Sequence, residues 1–190
     1  MALEGMSGGL APPAESNVLQ SFSDATAGRS MQLYQAVSLR TSAGVDHALT
    51  RDGGVSSPEK TSKTNGTETI NFDATINKST LVGGIGYLDL KIEATGVIGI
   101  VYATVGVYHW DGVSETLISN SPVTPNLVTV ASITHKMPLT ITKKNFRVGT
   151  TLRLKVALYS SGVPTPAHLY HDPQSAGDEL NFWLPVVNLE

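Results

Sequence analysis

The run "LRLKVALY", Leu152 to Tyr159, decides the fold class of this 190-residue chain. Leucine and valine recur along it at a period of two, which is the repeat of a β-strand with one buried face. The pattern predicts that Arg153 and Lys155 face outward and that the alternate side chains face a core, namely Leu152, Leu154, Val156 and Leu158. No stretch of the sequence shows the sustained 3.6-residue period of an amphipathic helix.

The same alternation recurs along much of the chain. Inward sets are predicted from Ile70 to Ile76 and from Leu88 to Ala94, and a further half-buried strand has Met31, Leu33, Val37 and Leu39 on one face. Turn residues separate strands predicted at 31–39, 70–76, 87–95, 97–110, 115–118, 127–133, 139–142, 152–159, 168–171 and 180–189. This spacing predicts an all-β fold, an antiparallel jelly-roll-like β-sandwich of about 8–10 strands.

Composition excludes several kinds of site. The net charge is −3, which argues against a nucleic-acid partner. The nearest candidates for a basic cluster, Lys143, Lys144 and Arg147 with Arg153 and Lys155 nearby, fit solvent-facing positions beside a strand. The absence of cysteine excludes disulfides, thiolate zinc sites and cysteine nucleophiles. The sequence has no apolar run of about 18 residues and no signal peptide, so neither membrane insertion nor Sec export is expected. No cofactor is predicted.

The chain divides into an extended N-terminal arm, residues 1–30, and a single β-sandwich domain, residues 31–190, with a long exposed loop at 50–68. The arm is rich in Gly, Ala, Pro and Ser and has no Lys or Arg before Arg29. Such a segment becomes ordered only when something holds it. We therefore expect a neighbouring subunit to bury the arm's large apolar residues, Leu10, Val18, Leu19 and Phe22.

The most chemically crowded stretch is "AHLYHDPQSAGDEL", Ala167 to Leu180. His168 and His171 would share a face on a helix, but on a strand they point to opposite sides and do not converge on a metal. The Asp-Pro pair and the following Gly predict a turn. The alternative is a cation site built from carboxylate oxygens, for which the candidates are Asp172, Asp178 and Glu179.

The sequence contains no catalytic motif: neither G-x-S-x-G, H-E-x-x-H nor a phosphate-binding glycine loop occurs. We therefore predict that the chain is not an enzyme and has no catalytic residues. A ligand platform is the other candidate site, because Tyr108 and Trp110 share one face of a strand beside Asp111 and could stack on a sugar ring. The alternative is that these aromatic residues form a stripe in the core.

The stretch "FRVGTTLRLKVALYSSG", Phe146 to Gly162, resembles a strand-turn-strand element of jelly-roll modules. The whole pattern of a Cys-free, Thr- and Gly-rich sandwich with an N-terminal arm resembles the capsid decoration, or cement, proteins of tailed phages. This resemblance implies a non-enzymatic virion protein on the capsid exterior, made in the host cytoplasm. Its partners would be the major capsid protein and its own copies, with a trimer favoured. The alternative is a carbohydrate- or receptor-binding β-sandwich module.

Overall fold

The computed structural model describes residues 29–41, 44–51, 59–95, 99–162, 166–171 and 180–187, which form eleven β-strands and no helix. The strands are β1 Arg29–Thr41, β2 Gly44–Thr50, β3 Glu59–Lys63, β4 Gly66–Thr75, β5 Thr80–Ala94, β6 Ile100–Trp110, β7 Glu115–Leu117, β8 Ala131–Phe146, β9 Thr151–Ser161, β10 Ala167–His171 and β11 Asn181–Val187. The predicted all-β class is confirmed, with one strand more than the upper end of the predicted number.

Hydrogen bonding connects the strands in the order β3-β10-β5-β11-β1-β2-β4-β9-β6-β7, and β8 pairs with the free side of β5. Two parts can be distinguished in this sheet. A seven-strand half contains β1, β2, β3, β5, β8, β10 and β11, and a four-strand half contains β4, β6, β7 and β9. The only parallel pairing among the described strands, Ala48 with Asp73, joins β2 to β4.

The two halves face each other across one core. Buried residues of β5 and β9, which are far apart in the strand order, belong to the same hydrophobic cluster. At the other margin of the four-strand half, the segment after β7 bonds to β8 through a bridge between Ser119 and Ile141. The sheet therefore closes around its own apolar face, as in a β-sandwich.

Alternation decides which side chains enter this core. Along β9 the predicted inward residues are fully buried, and Arg153 and Lys155 lie on the outer side. The predicted inward sets on β4 and β5 are also in the core cluster or packed against it. Burying each such Leu, Ile or Val side chain contributes roughly 1.5–3 kcal/mol, which offsets the entropy lost on ordering the strands.

The prediction for β1 is wrong about which face packs into the core. Tyr34 and Ala36 belong to the core cluster, whereas Met31 and Leu33 are half-buried on the opposite face. Val37 is buried but is not part of that cluster, and the side chain of Leu39 lies outside the described part. Both faces of β1 carry apolar residues, so alternation alone could not choose between them.

Part of the predicted loop at 50–68 is a pair of strands. Glu59–Lys63 forms β3, which pairs with β10, and β4 begins at Gly66. β3 is an edge strand, so its ladder to β10 stabilises it without an apolar face. Residues 52–58 of the predicted loop lie outside the described residues.

Two prolines sit where a sheet tolerates a missing N–H group. Pro138 interrupts the stretch predicted as two strands, yet β8 is continuous from Ala131 to Phe146 because its ladder to β5 continues on both sides of Pro138. Pro185 lies in β11 at the position where the register against β5 shifts between Trp183 and Val186.

The predicted arm is largely outside the described residues. Its interface candidates Leu10, Val18, Leu19 and Phe22 all lie in residues 1–28, and Arg29 and Ser30 already belong to β1. The arm therefore remains a prediction, with its C-terminal boundary moved to residue 28.

Candidate functional site

An apolar row crosses the outer face of the seven-strand half. Register aligns Leu33 of β1 with Trp183 of β11, Trp183 with Tyr87 of β5, and Tyr87 with Pro138 of β8. Residues paired directly across strands point to the same face. Their neighbours along each strand lie in the core cluster, so this row faces outward.

A second row lies beside the first, since Met31 pairs with Pro185 and Ile85 precedes Tyr87 by two residues. Ile85 is 57% exposed and Tyr87 is 41% exposed. We call these residues the outer-face patch: Met31, Leu33, Ile85, Tyr87, Pro138, Trp183 and Pro185. Ile85, Tyr87 and Pro138 are its exposed members, Met31 and Leu33 are half-buried, and Trp183 and Pro185 are buried. Exposed apolar residues that adjoin one another are a feature of protein contacts.

One side of the outer-face patch is bounded by a polar row. Gln35 pairs with Asn181, Asn181 with Asp89, and Asp89 with Lys136. The Gln35 amide donates to Asn181 Oδ1 at 3.4 Å, and Lys136 Nζ lies 3.8 Å from Asp89 Oδ2. The apolar patch therefore has a polar border on this side, and polar residues at the edge of an apolar surface are typical of protein interfaces.

Trp183 adds a polar requirement to this patch. It is only 7% exposed, and its Nε1 atom has no hydrogen-bond partner among the described residues. A buried N–H group without a partner costs about 1–3 kcal/mol.

The predicted ligand platform lies on the outer face of the four-strand half. Tyr108 and Trp110 are half-buried there. Val107, which precedes Tyr108, and His109, which lies between the two rings, are buried on the opposite face. The alternative of a core stripe is therefore wrong for these two rings. The Lys155 ammonium lies 4.5 Å from the Tyr108 ring centroid, and the Arg153 guanidinium lies 5.5 Å from that of Trp110.

Arg153 is the centre of an ion-pair network beside these rings. Its Nε and Nη2 donate to the two carboxylate oxygens of Asp73, each at 2.7 Å, and its Nη1 donates to Glu115 Oε1 at 2.9 Å. Lys155 donates to the other oxygen of Glu115. Hydrogen bonding to Asp73 raises the pKa of Arg153. Although burial opposes the change, hydrogen bonds from Lys155 and Arg153 lower the pKa of Glu115.

Asp111 closes the turn between β6 and β7. Its carboxylate accepts hydrogen bonds from the backbone amides of Ser114 at 2.7 Å and Val113 at 2.9 Å, and from the Ser114 hydroxyl at 2.8 Å. These bonds, the Ser114 amide first, lower the pKa of Asp111 to about 2. This carboxylate is engaged by the turn, so stacking on Tyr108 and Trp110 is the part of the platform that stays a prediction.

His168 and His171 contact consecutive residues of β3, which face opposite sides of the sheet. His168 Nδ1 lies 2.6 Å from Ser62 Oγ, whereas His171 Nε2 lies 3.1 Å from Thr61 Oγ1. His171 Nδ1 is also 3.1 Å from Ser38 Oγ, and its ring packs against Phe72. Hydroxyl groups can donate or accept, so Ser38 and Thr61 can satisfy both nitrogens of a neutral His171 imidazole. The two histidines diverge, as the strand period predicted.

Within the described ranges, no group of three or more His, Asp or Glu side chains is placed to hold a metal ion. The carboxylate candidates Asp172, Asp178 and Glu179 fall in residues 172–179, outside the described residues. In that same described part, no helix has the length and apolarity needed to cross a bilayer.

Comparison with known proteins identifies the fold and no family. No known protein family matches the chain, and no curated protein sequence matches it. An aminopeptidase from a marine sediment archaeon, Thaumarchaeota archaeon, is similar in structure over 82% of this chain, with a TM-score of 0.57 and 9% identity. A CocE/NonD family hydrolase from Staphylococcus aureus is similar over 85% of this chain, with a TM-score of 0.58 and 11% identity.

The chain covers 37% of each of these two hydrolases. The structure of infectious bursal disease virus Gt strain, a virion, is a weaker neighbour, with a TM-score of 0.34 over 84% of this chain and 11% identity. That score is too low to support an argument. Identities this low show that the fold is shared, and a fold does not determine an activity.

The prediction that the chain is not an enzyme is contradicted by these neighbours. It was based on the absence of catalytic motifs from the sequence, yet an aminopeptidase and a CocE/NonD family hydrolase share this fold over most of the chain. Catalytic groups are brought together by tertiary structure and need no local motif. Missing motifs therefore did not justify excluding the enzyme class.

Sequence reasoning missed the outer-face patch as a site. The patch exists only because register aligns four strands that are distant in the sequence. No local signal could have assembled it.

Proposed function

We propose that this chain is an assembly subunit that binds other protein chains through the outer-face patch. The single observation that carries the proposal is the apolar row Leu33, Trp183, Tyr87 and Pro138, with Tyr87 41% exposed at its centre. Burying a large apolar side chain contributes roughly 1.5–3 kcal/mol, and repeating a contact around a symmetric assembly multiplies its effect.

The proposed occupant of the patch is residues 1–28 of a second copy. This segment contains the apolar residues Leu10, Val18, Leu19 and Phe22. It joins the sheet at Arg29, which pairs with Val187. This pair lies two residues from the pair of Met31 with Pro185, so the segment begins next to the patch. Twenty-eight residues span at most about 90–100 Å when extended, which is enough to reach a neighbouring subunit.

The most specific form of the proposal is a capsid decoration protein of a tailed phage. It is supported by the resemblance of the sequence to that class and by a sandwich with one apolar outer face. In this form the patch and residues 1–28 hold the copies together, with a trimer favoured, and the assembly binds the major capsid protein on the capsid exterior.

Mass photometry of the full chain and of a variant without residues 1–28 tests self-association. We expect an oligomer for the full chain and a monomer for the truncated one. Tyr87→Ser should weaken association by about tenfold or more, because it removes the exposed centre of the patch. Val113→Ser is the matched control, since Val113 is 89% exposed in the β6–β7 turn. A full chain that is a lone monomer, or a truncated one that assembles equally well, would contradict the proposal.

Cosedimentation with particles assembled from the major capsid protein of the same virus tests the specific form. We expect the full chain to pellet with the particles and the truncated chain to stay in the supernatant. Oligomers that do not pellet would limit the proposal to self-assembly.

A carbohydrate- or receptor-binding module is the second candidate, favoured by the outward position of Tyr108 and Trp110. Arg153 and Lys155 lie over these rings, so a sugar would have to displace them or bind at the ring edges. Tryptophan fluorescence on titration with a glycan panel checks this candidate, with Trp110→Ala as the loss-of-binding variant. No change in tryptophan fluorescence with any glycan of the panel would reject this candidate.

A further inference from the structure

A cleft opens where the two halves of the sheet part. β2 and β4 run parallel and share one pair, Ala48 with Asp73, and they end soon afterwards at Thr50 and Thr75. A cavity of about 560 Å³ lies at these carboxyl ends, lined also by the start of β1 and by the turn from Ile76 to Thr80. Its volume falls in the range of small-molecule sites, roughly 300–1,000 Å³.

The charged groups of this cleft are predominantly cationic. Arg51 and Lys78 both line it and are exposed, and no ion pair to either is recorded among the described residues. The carboxylate in the lining, Asp73, is already held by Arg153 in the bidentate pair. Its negative charge is therefore largely compensated, and the positive charges of Arg51 and Lys78 are not neutralised by a carboxylate in the lining.

Polar groups deeper in the cleft continue this pattern. With its amide oxygen turned toward the guanidinium of Arg51, Gln32 donates from Nε2 to Tyr34 Oη at 3.1 Å. That arrangement leaves the Tyr34 hydroxyl hydrogen free to donate to a ligand. The ring of Tyr34 belongs to the core cluster, which fixes the position of the hydroxyl. Arg51, Gln32 and Tyr34 thus form a line of polar groups, with donors at both ends.

The remaining lining is suited to a hydroxylated molecule. Thr50, Thr75 and Thr80 supply hydroxyl groups and Asn77 supplies an amide, while Leu49 and Ile76 give an apolar surface. Hydroxyl and amide groups pair with ligand hydroxyls in either direction, and a guanidinium pairs with a carboxylate or phosphate through two parallel bonds.

We infer that this cleft binds a small hydroxylated organic anion, a sugar acid or a sugar phosphate, whose anionic group is held by Arg51 and Lys78. Tyr34 and Gln32 would orient the same group, and the threonine hydroxyls would contact the ring. The cleft uses the core-side face of β1, whereas the outer-face patch uses the opposite face, so the inference does not depend on the proposed assembly function.

Isothermal titration calorimetry of the full chain with four probes tests the inference. The probes are glucuronate, glucose 6-phosphate, glucose and inorganic phosphate. We expect at least one of the two sugar anions to bind about tenfold or more tightly than glucose or phosphate. A sugar anion can pair with both the cations and the hydroxyls of the cleft, whereas glucose lacks the anionic group and phosphate lacks the sugar ring. The better of the two identifies carboxylate or phosphate as the natural anion. No binding by either sugar anion, or equal binding of glucose, overturns the inference.

Variants locate the binding. Arg51→Gln and Lys78→Gln should each weaken the better anion by about tenfold, and Tyr34→Phe should weaken it less, because it removes a neutral hydrogen bond. Lys143→Gln is the matched control, since Lys143 is an exposed lysine of β8 that does not line the cleft, and it should leave the affinity unchanged. Unaltered affinity in Arg51→Gln, with unfolding curves that match the parent protein, overturns the assignment to this cleft.

Discussion

At the scale of single residues, Arg153 links two strands in a way that no sequence motif indicates. The run that decides the fold class predicts only that Arg153 faces outward. In the structure it bridges β4 and the start of β7 through Asp73 and Glu115, although these residues are distant in the sequence. A guanidinium suits this position because its planar fork can bind two carboxylates at once.

Arg153→Met should lower the free energy of unfolding by roughly 1–3 kcal/mol, because Asp73 loses its partner while still part-buried. Urea denaturation measures the change. Lys136→Met is the control, since the Lys136 side chain is 68% exposed and its pair with Asp89 is worth about 0–1 kcal/mol. Equal effects from the two variants would mean that the Arg153 network contributes no more than a surface pair.

Three histidines should make the fold less stable in mild acid. Burial lowers the pKa of His109, His135 and His168, and for His168 the charge of Lys60 lowers the pKa further. The unfolded chain then binds more protons than the folded one near the ordinary histidine pKa of about 6.5. The free energy of unfolding is therefore unaffected by these histidines above that pH, and it falls as the pH drops from about 6.5 toward their lower pKa values in the folded state.

Urea midpoints measured at pH 7.5 and pH 5.0 check this expectation. The midpoint should fall at the lower pH, and His168→Asn should reduce the difference between the two values. A midpoint that is the same or higher at pH 5.0 would show that these histidines are not kept neutral by the fold.

At the scale of elements, alternation predicts burial well where one face of a strand is clearly more apolar. β9 is such a strand, and its predicted inward residues are all fully buried. β1 has apolar residues on both faces, and its burial depends on which side β2 and β11 present to the core. β3 has no apolar face, so only its ladder to β10 makes it a strand.

Leu154→Ala should destabilise the protein by about 2–5 kcal/mol, because it leaves a cavity at the centre of β9. Val148→Ala in the turn before β9 should change stability by less than about 0.5 kcal/mol, since Val148 is 66% exposed. Thermal or urea unfolding compares them. A loss below about 1 kcal/mol for Leu154→Ala would mean that the neighbouring side chains close the cavity.

At the scale of the whole molecule, one core is shared by two halves that are joined at their margins by few hydrogen bonds. The connection between β2 and β4 is a single parallel pair, and the cleft opens beside it. The fold is shared with parts of hydrolases, so it does not select an activity by itself. Activity must be sought in sites such as the cleft and the outer-face patch.

The shared core predicts one cooperative unfolding transition. Trp183 belongs to the seven-strand half and Trp110 to the four-strand half, so Trp110→Phe and Trp183→Phe leave one fluorescent reporter in each half. In each variant, the unfolding transition followed by tryptophan fluorescence should coincide with the transition followed by far-ultraviolet circular dichroism. Fluorescence that precedes circular dichroism in one variant only would show that the halves unfold separately.

The sequence by itself determined the all-β class and the inward sets of β4, β5 and β9, because the period of a strand is local and burial selects one face. It also determined that His168 and His171 diverge, since that follows from the same period. Tertiary structure alone decided which face of β1 packs inward, that residues 59–63 form a strand, and where the outer-face patch and the cleft lie. These features depend on register and strand order between residues distant in the chain, and the energies that set them come from contacts that no local pattern records.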